Sequence, residues 1–221
     1  MYKTYFFLEG EAGVDPFRQE GDAAAQALRA AVPEAAGFTQ TRTLSEQIEG
    51  RGEPPFVGVA ELWFSEKRAA LASVEHAQAL QPILADGVRV GPIVTGMART
   101  VMRLPAQHAG GFIKGVFPFR RKPGMSVADF QHHWWLNHGP IAALTEQAVY
   151  YLQCHPMPET YTPGRPPFDG ITELHWSDVP AARASMASRQ MVEDQGSDAA
   201  NFVEPDSVIL FLAREEVVIA A

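Results

Sequence analysis

The chain has 221 residues, 46% of them hydrophobic and 20% charged, a composition that excludes a disordered or fibrous protein. Its 18 Lys and Arg against 26 Asp and Glu give a net charge of −8, which argues against a nucleic-acid partner because phosphate backbones demand a basic surface. No apolar run approaches the ~18 residues of a membrane helix, and the single cysteine, Cys154, excludes an internal disulfide. We therefore expect a cytoplasmic protein without a membrane partner.

The N-terminal half is predicted to follow the order βαββαβ. Aromatic and β-branched runs predict the strands, and amphipathic or alanine-rich runs predict the helices. In chain order, the predicted elements are a strand over 4–8, a helix over 14–31, strands over 38–44 and 56–64, a helix over 66–84 and a strand over 97–104.

The C-terminal half shows the same order. Ser126 and Asp129 form a capping-box-like start of its first helix. The stretch from Pro156 to Pro167 is dense in proline and glycine and is predicted to be a loop. The remaining elements are strands over 112–119, 150–155, 168–176 and 207–213 and a helix over 178–195. This order is that of the ferredoxin-like unit.

The two halves also align with each other at an offset of 112 residues. The segment Phe56–Ser65 falls on Phe168–Ser177, and thirteen of the 27 positions from 52 to 78 are identical to their counterparts, where chance gives about two. We therefore predict a duplication with domains over 1–107 and 108–221, the second carrying the candidate site.

The last predicted strand indicates how the halves assemble. Residues 208–213 show no polar alternation, so both faces of this strand are expected to be buried. A ferredoxin-like sheet carries its helices on one face, and the sister sheet is the economical cover for the other. The predicted fold class is α+β, with two ferredoxin-like repeats in tandem and their sheets packed face to face as an intrachain α+β barrel.

Candidate site residues concentrate in the second half. Tyr151, Gln153 and His155 alternate and so share one strand face, which is a site if it lines a cavity and ordinary if it is solvated. His138 lies four positions after Trp134 and continues the apolar stripe of the first helix. Its imidazole suits proton transfer, or else it is a helix-end or core histidine with a structural role.

Other polar groups have competing interpretations. Glu173 and His175 share a strand face and could form an acid/base pair, but Glu61 repeats Glu173, which favours a barrel-facing salt bridge. Arg121 belongs to a basic run that either binds an anion or is a solvated rim. His133 and His138 are five residues apart, about 140° around a helix, so we expect no metal site.

Several motifs of the second half occur in the order of a known family. They are Arg120–Phe130 with its Lys-Pro-Gly, His133-Trp134, His138-Gly139-Pro140, Tyr151–His155 and Phe168–Ile171. This ordered set resembles the EthD family of the dimeric α+β-barrel superfamily. The resemblance implies a barrel of two ferredoxin-like units. Members of the EthD family include decarboxylases, dehydratases and lactone isomerases, most of which work without a metal or organic cofactor.

The first half departs from this pattern. Counted back by 112 positions, His138 falls on Gln26, His155 on Thr43, Tyr151 on Thr39 and Gln153 on Thr41. The scaffold is repeated but the polar set is not, so any chemistry is expected in the second half.

We expect a cofactor-free enzyme of the lyase or isomerase type that acts on a small, apolar molecule bearing a carbonyl or an aromatic ring. His138, His155 and Tyr151 are the expected catalytic residues. The expected substrate-binding residues are Gln153, Arg121, Trp134, Glu173 and His175. A non-catalytic binding or accessory protein is the alternative, and haem-dependent chemistry, as in other barrels of the superfamily, is a third. A homodimer is left open.

Overall fold

A computed structural model describes residues 1–50, 52–104, 111–162 and 164–220. Within these ranges both halves follow the predicted order, and the helical layer of the second half is divided further. The strands are β1 (Tyr2–Glu9), β2 (Gly37–Thr43), β3 (Gly58–Phe64), β4 (Arg89–Arg103), β5 (Ile113–Phe119), β6 (Ala148–Pro156), β7 (Gly170–Trp176) and β8 (Phe211–Ile219). The α-helices are α1 (Gly21–Ala31), α2 (Lys67–Ala72), α3 (Val127–His133), α4 (Gly139–Ala142), α5 (Val179–Met186) and α6 (Gly196–Phe202).

The eight strands form one closed barrel in the order β1-β3-β2-β8-β5-β7-β6-β4. The N-terminal half contributes β4-β1-β3-β2 and the C-terminal half β8-β5-β7-β6, which is the same ferredoxin-like order. Antiparallel pairing of β2 with β8 and of β4 with β6 joins the edges of the two sheets. The predicted α+β barrel within one chain is therefore confirmed, and its facing sheets are also hydrogen-bonded edge to edge.

Alternate residues of the strands divide between the barrel interior and the helices. On β1, Tyr5 and Phe7 join the apolar cluster inside the barrel, whereas Phe6 and Leu8 join the cluster beneath the first-half helices. This follows from the period of two in a strand. Because both faces of the sheets are covered, most strand residues are buried, and polar residues facing inward are removed from bulk water.

The first helix is shorter than predicted, because it begins at Gly21 and not at residue 14. Pro16 has no backbone N–H and holds the residue before it in an extended conformation. Phe17 instead forms an isolated β-bridge with Leu84. The segment before α1 is therefore tied to the end of the helical region that follows β3.

The two later long helices are interrupted. After α2 the chain continues as a 3-10 helix over Ser73–Ile83, which contains Pro82. The helix predicted over 178–195 is divided into α5, a π-helical turn over Gln190–Gln195, and α6. Helical periodicity alone does not separate these helix types, whose periods are close to each other.

Two strands differ from their predicted bounds. β4 begins at Arg89 and not at residue 97, although it contains Pro92, a residue that usually interrupts strands. β8 begins at Phe211 and not at residue 207, because Pro205–Ser207 form a 3-10 turn. It then runs through charged residues as far as Ile219.

The predicted boundary between domains 1–107 and 108–221 falls at residues 105–110, outside the described residues. Ser126 accepts a hydrogen bond from the backbone N–H of Asp129 at 3.0 Å, which confirms the predicted start of α3. Among the described helices, none has the length and apolar character that crossing a membrane requires.

Candidate active site

A cavity of about 500 Å³ opens at one end of the barrel, a size that suits a small organic molecule. Trp63 and Phe112 form part of its apolar wall. The polar residues that line it are Lys3, Thr39, Arg103, Tyr150, Glu173, His175 and Glu215. Further along the barrel axis the interior is filled by four phenylalanine rings, Phe7, Phe56, Phe168 and Phe211.

The floor of the cavity is a buried network of charges. Lys3 Nζ lies 2.5 Å from Glu61 Oε2 and also pairs with Glu173. Lys114 Nζ lies 2.7 Å from Glu61 Oε1, 3.3 Å from Glu173 Oε2 and 3.1 Å from Glu215 Oε2. Except for Glu215, these side chains are at most 2% exposed. The predicted barrel-facing salt bridge of Glu61 and Glu173 is confirmed, and each charge depends on the others for compensation.

The lysines keep the carboxylates of this network ionised. Burial would raise the pKa of Glu173, but Lys114 and Lys3 outweigh it and hold that pKa well below its usual range. Burial would also raise the pKa of Glu215, yet Lys114 lowers it. For Lys114 burial acts in the opposite direction, and the glutamates around it raise its pKa well above the usual value. Glu173, Glu215 and Lys114 therefore carry fixed charges near neutral pH.

The buried network of charges repeats across the two halves of the barrel. On β1, Lys3 lies opposite Trp63 of β3, and on β5, Lys114 lies opposite His175 of β7. A glutamate stands two residues before each of these β3 and β7 positions. The ion pairs are thus common to both halves. The difference is that an imidazole in the second half takes the place of an indole in the first.

His175 lies on the cavity wall between two carboxylates. Its Nε2 is 3.8 Å from Glu173 Oε2, and its Nδ1 is 3.7 Å from Glu215 Oε1, both too long for a hydrogen bond. The ring of Tyr150 packs edge-on against it, with centroids 5.0 Å apart. Nε2 is buried and has no hydrogen-bond partner among the described residues. An imidazole placed in this way can exchange a proton at Nε2 while nearby carboxylates stabilise its charged form.

The predicted triplet on β6 points to the helices and not to the barrel interior. Gln153 Nε2 donates to the backbone oxygen of Trp134 at 3.0 Å and to the Tyr151 hydroxyl at 3.2 Å, and its Oε1 lies 2.9 Å from His155 Nε2. The rings of His155 and Trp134 stack with centroids 4.3 Å apart. Tyr151, Gln153 and His155 do share one face, as predicted, but that face is covered by the π-helical turn Trp134–His138.

His155 and Tyr151, which lie between β6 and the π-helical turn, are uncharged near neutral pH. Burial, together with the nearby Arg99, lowers the pKa of His155 to about 3. Burial raises the pKa of the Tyr151 phenol. Both side chains can therefore form hydrogen bonds but carry no charge.

His138 contacts a different group of residues. Its Nδ1 lies 2.8 Å from Asp198 Oδ2, and His133 Nε2 lies 2.9 Å from the other oxygen of the same carboxylate. The ring also packs against Phe202, with centroids 5.0 Å apart. Burial lowers the pKa of His138, and Asp198 opposes this in part. A shallow groove beside Asp198 is lined by neither His138 nor His155.

The constant offset of 112 is wrong for β2 and β6. Thr39 lies opposite Glu61 on β3, whereas Leu152 lies opposite Glu173 on β7, so these two strands match at an offset of 113. A shift of one residue moves every side chain to the other face of a strand. By the observed pairing, Tyr151 matches Phe38, Gln153 matches Gln40 and His155 matches Arg42.

The corrected register gives Gln153 a counterpart with the same contact. Gln40 Nε2 donates to the backbone oxygen of Gln19 at 2.8 Å, as Gln153 Nε2 does to that of Trp134. In the first half the amide holds the segment just before α1 to the sheet, and in the second half it holds the π-helical turn after α3. This shared contact is evidence of a structural role for Gln153.

The guanidinium of Arg121 is already paired within the chain. It forms an ion pair with the fully buried Asp169, and its Nε donates to the backbone oxygen of Met125 at 2.8 Å. Arg165 binds the same carboxylate at 2.6 Å. The position that an anionic ligand would take is thus held by the protein's own carboxylate, away from the cavity.

Three residues of the charged network are absent from the sequence-based prediction, namely Lys3, Lys114 and Glu215. For Lys3 and Lys114 the sequence did contain a signal, because each is a lysine at an inward position of a strand rich in aromatic residues. Glu215 gave no such signal, because it lies beyond the predicted end of the last strand and its direction could not be assigned.

No group of three His, Cys, Asp or Glu residues within the described ranges is arranged to hold a metal ion. The space beside His138 is filled by Phe130, Trp134 and Phe202, each at most 1% exposed. These rings leave no slot there for a flat macrocycle such as haem.

Fold and site together define an α+β barrel protein with a small-molecule cavity at one end of the barrel. Residues 122–206 match the family model described as the EthD domain. This match lies within the C-terminal half of the chain, where the ordered motifs predicted a resemblance to the EthD family. No curated protein matches the chain.

Solved structures share the fold at low sequence identity. An anthrone oxidase-like protein is 9% identical with a TM-score of 0.55, and the match covers 98% of this chain and 93% of that chain. A mutant chlorite dismutase from Candidatus Nitrospira defluvii is 10% identical with a TM-score of 0.52, covering 96% and 90%. An EthD family protein from Bacillus halodurans is 16% identical with a TM-score of 0.37, covering 46% and 95%. The first two are similar in fold, and at such identities they carry no functional argument.

Proposed function

We propose that this EthD-like barrel protein is a cofactor-free acid/base enzyme of the lyase or isomerase type. Its substrate would be a small, largely apolar molecule that bears a carbonyl group or an aromatic ring. The observation that carries the proposal is the imidazole of His175, which lies on a cavity wall with an unpartnered Nε2 and two carboxylates less than 4 Å away.

In the proposed reaction His175 accepts a proton from the carbon next to the substrate carbonyl. The C–H electron pair forms an enolate, and the phenol of Tyr150, which lines the same cavity, donates a hydrogen bond to the enolate oxygen. Glu173 and Glu215 stabilise the imidazolium that results. Return of the proton to a different carbon gives an isomerase, and loss of a leaving group from the enolate gives a lyase.

This location differs from the one expected from the sequence. His138, His155 and Tyr151 are hydrogen-bonded within the helix-covered layer, and two of them are at most 2% exposed. The end of the barrel combines a cavity, fixed charges and an imidazole with an unpartnered nitrogen. Those are the features that acid/base catalysis needs in one place.

Exchange of substrate protons with solvent tests the proposal. Acetophenone, indanone and tetralone are incubated with the protein in D₂O, and loss of the signal of the proton next to the carbonyl is followed by NMR. We expect exchange above the buffer rate, and His175→Gln should lower it by at least ~10²-fold, the low end for a general acid–base group. His132→Gln, at an exposed histidine, is the matched control, and melting temperatures report folding.

Two outcomes would count against the proposal. Exchange no faster than in buffer for every ketone, with binding still detected, favours the alternative of a non-catalytic binding or accessory protein. Exchange that survives His175→Gln but is lost in His138→Gln places the chemistry under the helices instead.

A further inference from the structure

In the charge network at the cavity, carboxylates outnumber ammonium groups. Two buried ammonium groups, Lys3 and Lys114, serve three carboxylates. Glu61 and Glu173 each contact both lysines and are at most 2% exposed. Both cations are thus fully engaged by the chain itself, and neither is available to a ligand anion.

Glu215 is the least compensated member of this network. It contacts one ammonium group, that of Lys114 at 3.1 Å, and its side chain is 23% exposed where the others are nearly inaccessible. It lines the cavity together with Glu173. A ligand in the cavity therefore meets two carboxylates, Glu173 and Glu215, and one ammonium group, that of Lys3, which Glu61 and Glu173 already pair.

Further positive charge at the cavity comes from three sources, of which the α-amino group of Met1 belongs to an exposed residue that water screens. The imidazole of His175, when protonated, brings the network to three positive and three negative groups, which is neutral. Arg103 also lines the cavity, but it is exposed at the rim, where water screens its charge. An anion inside would add an uncompensated charge to a site that is neutral at best.

The side chains of Tyr150 and His175, which carry hydrogen-bonding groups, line the same space, and Trp63 supplies an apolar face. Resting on the proposed function, we infer that this cavity selects neutral, hydrogen-bonding carbonyl compounds and rejects carboxylates of the same shape. The substrate class is then a ketone, aldehyde or lactone whose carbonyl is the polar group that enters the barrel.

Three ligands of one shape and different charge test this inference. Acetonaphthone is neutral, naphthoate is anionic and naphthylmethylammonium is cationic at about pH 8, and titration calorimetry on the full-length protein gives each dissociation constant. We expect acetonaphthone to bind at least about 10²-fold more tightly than naphthoate, since like charges brought together in a buried site are strongly disfavoured. The cation, which the least compensated carboxylate, Glu215, attracts, should bind more tightly than naphthoate.

The variant Glu215→Gln identifies the source of the selectivity. It should strengthen naphthoate binding by about tenfold and change acetonaphthone binding far less. Glu216→Gln is the matched control, because Glu216 neighbours Glu215 on β8 and pairs with Arg42 outside the cavity. Melting temperatures of both variants report whether they fold.

Each result decides either the selectivity of the cavity or the catalytic proposal. Naphthoate binding as tightly as the ketone or the ammonium compound overturns the selectivity, whether or not proton exchange occurs. No binding by any of the three overturns it as well. If the ketone binds selectively but its protons do not exchange, the selectivity stands and the catalytic proposal fails.

Discussion

The polar residues of the C-terminal half occupy two regions on opposite faces of one sheet. On the helix-covered face of β6, Tyr151, Gln153 and His155 bond to each other and to the backbone of the helical turn above them. On the barrel face of β7, Glu173 and His175 border a cavity. The first region is packed under the helices, whereas the second borders an open cavity that a partly exposed carboxylate, Glu215, also lines. Polar composition alone does not make a site, because an open volume beside the polar groups is also needed.

The largest effect should come from breaking the charged floor of the second region. Lys114→Met removes an ammonium group that contacts Glu61, Glu173 and Glu215. The carboxylates left behind are buried and short of one counter-charge, so we expect a loss of about 3–5 kcal/mol in the free energy of unfolding. Urea unfolding followed by circular dichroism measures it.

The matched control is Lys67→Met, which removes the ammonium group of an exposed pair with Glu159. Solvent screens that pair, so its loss should change stability far less. Equal stability of the two variants would contradict a tightly coupled network in the barrel.

A smaller, pH-dependent effect should come from the helix-covered region. The pKa of His155 is lowered from 6.5 to about 3 in the folded protein. Between these values the unfolded chain binds a proton that the folded chain does not, so stability is present at higher pH and is lost as the pH falls. The linked slope is about 1.4 kcal/mol per pH unit, and His155→Gln should remove it.

Unfolding free energies between about pH 4 and pH 6 provide the measurement. The variant His132→Gln, at an exposed imidazole, should keep the slope of the wild type. An unchanged slope in His155→Gln would show that this side chain is already charged in the folded state, against the buried and neutral layer described above.

Much of the fold could be predicted because the signals are local. Strand alternation, the serine cap of α3 and the repeated segment around Phe56 and Phe168 each report on a few neighbouring residues. The closed barrel followed from one further fact, the burial of both faces of the last strand. The predicted strand bounds were wrong where charged residues or proline occur within a strand. This is the case at the start of β4, at Arg89, and in the part of β8 that follows Ala213.

The site was harder to predict because it depends on which face of a strand looks inward. A period of two shows that Tyr151, Gln153 and His155 share a face but not whether helices or a cavity cover it. The charged floor also joins Lys3, Glu61, Lys114, Glu173 and Glu215, which come from five different strands. Only closure of the barrel brings these residues together, and no spacing in the sequence encodes that.

The most direct test follows the imidazole signals of the seven histidines by NMR while acetonaphthone is added. The account predicts that the signals of His175 and of the Trp63 indole shift as the ligand binds, while those of His138 and His155 stay in place. Shifts centred on His138 and His155, with His175 unmoved, would contradict a site at the end of the barrel and would place it under the helices.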